Sequence, residues 1–178
     1  MFKTNLLTVS MLLAAATCTF ADSHNDGAFK GTLSGFNEVP AVITTGSGQV
    51  TVTPSSDGKS LSVTLSFTKL AGVAQSAGLY LAAPGTTGGL IAPICGGTKP
   101  SCPGTADGTV TVTLVATDIA AISAQGLAAG DMAGAIEALT NGAVYANVLT
   151  NKFAGGEIRG QLGRGFSFGQ AAGGGRGH

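Results

Sequence analysis

The stretch Gly142-Ala-Val-Tyr-Ala-Asn-Val-Leu-Thr-Asn-Lys-Phe-Ala-Gly-Gly-Glu-Ile-Arg-Gly-Gln-Leu162 decides the fold. It reads as a strand from Ala143 to Thr150, a tight turn at Gly155-Gly156 and a second strand from Glu157 to Leu162. Two short strands joined by a glycine-bearing turn form an antiparallel hairpin. Successive strand residues point to opposite faces, so Glu157 and Arg159 share one face and Ile158 takes the other.

The same period of two extends outward from this hairpin. Ala28-Phe-Lys-Gly-Thr-Leu-Ser34, Gly48-Gln-Val-Thr-Val-Thr53 and Lys59 to Leu70 alternate apolar with polar residues; Leu61, Val63, Leu65 and Phe67 fall on one face. Between the second and third lies Pro54-Ser-Ser-Asp57-Gly58, whose Asp-Gly step supplies the positive φ of a tight hairpin. Further strands are expected at Ala77 to Ala82, Leu90 to Ile94 and Gly108 to Val115, each bounded by Gly, Pro or Asp. Seven or eight such strands predict an all-β antiparallel Greek-key sandwich or barrel, immunoglobulin-like or superoxide-dismutase-like. One helix interrupts them: Asp131 is a good N-cap, Ala133, Ile136, Ala138 and Leu139 follow a helical period, and Asn141-Gly142 can close the end in a left-handed turn. Thr117 to Ile122 is a candidate for a further helical turn, and both are expected to plug an open end of the sandwich.

Lys3, the apolar run Leu6 to Ala16 and the small residues of Thr19-Phe20-Ala21 form a signal peptide over residues 1–21. The run is shorter than the ~20 apolar residues that span a bilayer, and polar residues follow at once. Cys18 fits a lipobox poorly. Removing the leader leaves a polar segment at 22–27, a β domain over 28–163 and a Gly-rich tail over 164–178, in which Phe166 and Phe168 can add a strand or dock on a partner. The remaining chain suffices for one domain that needs no metal to fold. Charged residues are 10% of the sequence, and with Lys3 gone the nine Asp and Glu face eight Lys and Arg. That balance offers no basic stripe for nucleic acid, and no membrane span is expected after processing.

Two cysteines remain, Cys95 and Cys102, with Gly and Pro between them. In an exported chain such a pair predicts a disulfide-closed loop. A redox role would want the Cys-x-x-Cys spacing and a helix N-terminus, and both are missing.

Several segments, in order from Phe29 to Leu162, resemble CHRD domains, the repeated module first named in chordin. Leu33-Ser34-Gly35-Phe36-Asn37-Glu38-Val39-Pro40 is similar to the family's opening, Gly46-Ser47-Gly48 and Asp57-Gly58 to its next turns, and Gly156-Glu157-Ile158-Arg159-Gly160-Gln161-Leu162 to its close. Where the family has Ala-His-Ile-His, this chain has Gly78 and Tyr80 at the histidine positions, and Leu149 replaces the histidine that follows Tyr145 and Asn147. Histidines at alternate strand positions could hold a metal or relay a proton; Gly78, Tyr80 and Leu149 cannot. The resemblance marks Glu38, Pro40, Tyr145, Asn147, Glu157 and Arg159 as structural motif residues and implies no particular reaction; with the histidines replaced, no cofactor is expected.

The Glu157 and Arg159 charges read as a structural ion pair, with Glu38 placed to face Arg159 or a turn's amides. An enzyme would use Glu157 as a base near Tyr80 or Tyr145, but no nucleophile-base spacing supports it. The expectation is a non-catalytic binding or structural module, secreted or periplasmic, with an extracellular or envelope protein or polymer as partner. Two alternatives stand beside it. Cleavage after Ala21 would expose Asp22-Ser23-His24, whose amine, amides and His24 imidazole can bind Cu(II) or Ni(II), and sheet edges with the Phe166-Phe168 tail could drive self-association.

Overall fold

A computed structural model describes residues 27–164. The expected signal peptide, the Asp22-Ser23-His24 segment, Phe166, Phe168 and the tail beyond Arg164 lie outside the described residues. Nine strands and one helix follow in order: β1 (Phe29–Ser34), β2 (Ser47–Pro54), β3 (Ser60–Thr68), β4 (Ala74–Leu81), β5 (Gly89–Cys95), β6 (Gly108–Val115), α1 (Met132–Thr140), β7 (Val144–Thr150), β8 (Ile158–Gln161) and β9 (Gly163–Arg164).

All pairings are antiparallel and form a single sheet in the order β5-β4-β7-β8-β1-β2-β3-β6, with β9 alongside β1. The two ends of this sheet, β5 and β6, curl round until they lie side by side without a ladder between them. The result is a nearly closed all-β barrel, as the strand pattern predicts, with one short strand more than expected.

Alternation explains why these segments pair as they do. In β3, Leu61, Val63, Leu65 and Phe67 are buried while Ser62, Thr64 and Thr68 are exposed. The register places Val63 between Val52 of β2 and Val112 of β6, so one apolar rung crosses three strands. A slip of one residue would turn every one of these side chains to water. The β2–β3 turn holds Gly58 at φ +67°, the left-handed conformation expected of the Asp-Gly step. Leu33, Leu79, Ile91, Leu114, Val148 and Ile158 complete the interior. Truncating one of them, as in Leu65→Ala, costs about 2–5 kcal/mol.

The helix starts where its cap predicts: Asp131 Oδ1 accepts from the Gly134 amide at 2.8 Å. It buries Met132, Ala135 and Leu139 against the core and ends at Gly142, φ +68°. Of the helical turn expected over Thr117 to Ile122, only a 3-10 segment at Ala116–Asp118 forms; residues 119–121 are not helical and Ile122 makes a β-bridge to Leu127. Cys95 and Cys102 form the expected disulfide. Lys99, inside that loop, bridges to Asp118 at 2.8 Å and ties the loop to the 3-10 turn.

Candidate functional site

β7 and β8 depart from the clean alternation of β3. Ala146, Val148 and Ile158 face the interior, yet the residues between them, Tyr145, Asn147 and Arg159, are buried as well. They stand on the outer side of the barrel, beneath the segments that follow β1 and β4. The register aligns them in two rungs, Gly78–Asn147–Arg159 and Tyr80–Tyr145–Gln161. The three positions where the family's histidines would stand belong to this outer face: Gly78, Tyr80, and Leu149 opposite Ser76.

Two aromatic rings and a guanidinium pack together on this face. The Tyr80 and Tyr145 rings stack at 5.1 Å with 15° between their planes, and the Arg159 guanidinium lies 3.5 Å from the Tyr145 centroid. A cation over a tyrosine face is attracted by the ring quadrupole, and desolvation strengthens the attraction. Arg159 is only 2% exposed; its Nη2 donates to the Thr86 carbonyl at 2.5 Å. Its own carbonyl accepts from Asn37 Nδ2 at 3.1 Å. The segment after β1 is thus pinned to β8.

Glu157 does not pair with Arg159. Residues two apart on a strand sit about 6.8 Å apart along it, and each finds other partners. The Glu157 carboxylate, 0% exposed, accepts from the Thr44 hydroxyl (2.7 Å), the Ala71 amide (2.5 Å), the Gly72 amide (3.2 Å) and the Thr150 hydroxyl (2.8 Å). Burial alone would raise its pKa, but the four hydrogen bonds outweigh it and hold the group below the usual carboxylate range. The expected ion pair is replaced by an anion cradled in neutral donors. They lock the start of β8 to the segments before β2 and β4.

Glu38 has the opposite environment. It is 8% exposed, and its Oε1 and the Asn147 Oδ1 are buried acceptors without a donor. Both lie close around Gly156, where a Cβ would stand 2.6 Å from Glu38 Oε1 and 2.7 Å from Asn147 Oδ1. Gly156, at φ +133°, is the residue that lets them approach. Burial pushes the Glu38 carboxyl up to about 7, against the pull of the Arg159 charge. A proton on Glu38 would supply the donor this pair of acceptors lacks. Burial, then Tyr145 and Glu38, likewise raise the Tyr80 phenol.

Above Arg159 a cleft of about 400 Å³ opens between the two covering segments. Arg159, Gln161, Thr32 and Glu38 line it on the polar side, and Phe36, Val39 and Pro84 provide apolar walls. Phe36 is 73% exposed and Val39, which leads into the cis peptide bond to Pro40, is also exposed. The volume falls within the roughly 300–1,000 Å³ of small-molecule sites.

A CHRD-domain family model matches residues 29–162. The chain belongs to the CHRD family. No curated protein and no solved structure matches it. Of the motif residues in this CHRD domain, Glu38, Tyr145, Asn147 and Arg159 gather on the outer face, whereas Glu157 anchors the neighbouring turn. Sequence reasoning missed the cleft walls Phe36, Val39 and Pro84, and also Gln161, although Gln161 continues the alternation of Glu157 and Arg159. Among the described residues no three His, Cys, Asp or Glu side chains cluster, and no helix is long and apolar enough to cross a membrane. His24 lies outside the described residues.

Proposed function

We propose that this CHRD protein is a non-catalytic binding module that works outside the cytoplasm, and that the cleft over Arg159 is its binding face. The observation that carries the reading is Phe36, a large apolar side chain held 73% exposed at the rim of a cleft floored by a buried arginine. Exposed aromatics beside a buried arginine are the usual anchors of recognition. The groups that look catalytic have other work: Glu157 is closed off from solvent by its four donors, and the two tyrosines stack on each other beneath Arg159. Export is supported by the apolar run Leu6 to Ala16 with its small-residue cleavage site, and by a disulfide of the kind that persists in oxidising compartments. The partner is an extracellular or envelope polymer or protein.

The test combines processing with binding. The mature protein should begin at Asp22, and purified protein should bind isolated envelope or extracellular polymer. Phe36→Ser should weaken that binding about tenfold without changing the melting temperature. Equal binding by the variant would remove the cleft as the binding face.

A further inference from the structure

The cleft sets an unusual charge problem, because among the described residues the cation lining it, Arg159, is buried. Arg159 carries five N–H donors, of which one has a protein acceptor among the described residues, the Thr86 carbonyl. Glu38 is the acidic group on the same cleft, yet it does not close on Arg159; the ion pair within 4.0 Å among the described residues is Lys99 with Asp118. The titratable side chains packed round Glu38 and Arg159 are Tyr80 from β4 and Tyr145 from β7, and burial holds the Tyr80 phenol above its ordinary value. Glu157, the other nearby acid, is occupied by Thr44, Ala71, Gly72 and Thr150. Among the described residues, Glu38 is therefore the group that sets the net charge of the cleft.

We propose that this cleft binds an organic carboxylate on Arg159 and that Glu38 competes with it as the internal counter-ion, so that binding is strong while Glu38 is protonated and weak once it ionises. The inference rests on the reading of the cleft as a binding face and names its ligand class. A carboxylate is the planar anion that an arginine fork receives in two parallel hydrogen bonds. Phe36, Val39 and Pro84 give the rest of the ligand an apolar wall, which suits a ring. With Glu38 neutral, its proton can serve Asn147 Oδ1, and the Arg159 charge is left to the ligand. With Glu38 ionised, the ligand meets a second anion within the same 400 Å³.

The sign follows from the burial that raises Glu38 to about 7. Benzoate and glucuronate are both ionised above pH 5.5, so the change in affinity across neutrality reports the protein and not the ligand. If only the protonated form binds, the protonated fraction falls about thirtyfold from pH 5.5 to pH 8.5, and the dissociation constant rises by that factor.

Calorimetric titration of the purified protein with benzoate and with glucuronate, at pH 5.5 and pH 8.5, tests the proposal. Either ligand should bind more weakly at the higher pH, with proton uptake near pH 8, and Glu38→Gln should bind equally well at both. The tighter ligand shows whether the wall takes a hydrocarbon or a sugar ring. Arg159→Lys should lose binding; should it fail to fold, Glu38→Gln still decides. No binding of either carboxylate at pH 5.5, equal binding at both pH values in the wild type, or persistent pH dependence in Glu38→Gln overturns it. Loss of polymer binding on Phe36→Ser would survive that result, so failure of the ligand class and failure of the binding face are distinguishable.

Discussion

Replacing Glu157 by glutamine keeps the shape of the side chain and tests its charge. Oε1 accepts from the Thr44 hydroxyl and the Ala71 amide, and Oε2 from the Gly72 amide and the Thr150 hydroxyl. Each oxygen thus faces one hydroxyl, which can rotate and accept, and one backbone N–H, which cannot. Whichever way the new carboxamide is oriented, its NH2 group must meet an N–H. One buried backbone donor is orphaned, at about 1–3 kcal/mol, and the surviving bonds lose the strengthening that an ionised acceptor gives. The expected loss is about 3 kcal/mol, or roughly 10 °C in melting temperature for a domain of this size.

Urea unfolding with the disulfide intact would measure that loss directly. The pH dependence adds a second reading. Because the folded carboxyl lies below its unfolded value, Glu157 stabilises the protein above the ordinary carboxylate range, and that share is lost as pH falls through the folded value. Wild type and Glu157→Gln should therefore converge on acidification. A variant within about 0.5 kcal/mol of wild type at pH 7, on the scale of neutral surface changes, would refute the account of Glu157 as the anchor of β8.

Other outcomes follow from the same geometry. Glu38 has the reverse sign: its folded pKa of about 7 exceeds the unfolded one, so stability present at low pH is lost as pH rises towards 7. Glu38→Gln should stabilise the domain by up to roughly 3 kcal/mol at pH 8 and by little at pH 4, as denaturant melts at the two pH values would show. Gly156→Ala should cost about 3 kcal/mol or more, since its Cβ would sit 2.6 Å from Glu38 Oε1 in a backbone conformation that L residues rarely adopt; a wild-type melt would contradict this. Arg159→Ala should lower stability by about 2–3 kcal/mol through the lost stacking on Tyr145 and the unmet Thr86 carbonyl, and an unchanged melt would show that Arg159 is not structural. Reducing Cys95–Cys102 should cost about 2.5 kcal/mol, the loop-entropy value for a short loop, measured by urea unfolding with and without reductant.

The barrel was legible because most of its strands have one dry and one wet face. Leu61, Val63, Leu65 and Phe67 announce β3 by themselves, and β6 is found from Gly108 to Val115 as the alternation predicts. Where alternation is weak, so is the reading: β4 begins at Ala74, three residues before its first clear apolar position, and the two residues of β9 are too few to show a period. The fate of Glu157 was hidden for another reason. A spacing of two says that Glu157 and Arg159 share a face, not that they touch, and the Thr44, Ala71 and Gly72 donors come from remote loops without a pattern. The cleft is the same case, since Phe36, Val39 and Pro84 meet only when two loops cross the sheet.

Tyr145, Asn147 and Arg159 stand on the side of the sheet away from the Leu and Val interior, so the apolar rungs and the cleft are built from separate sets of residues. The spans 36–40 and 83–88 cover that outer face and contribute no side chain to the apolar interior. A barrel arranged in this way can acquire a new specificity by exchanging its outer cover, while the strands beneath keep the same foundation.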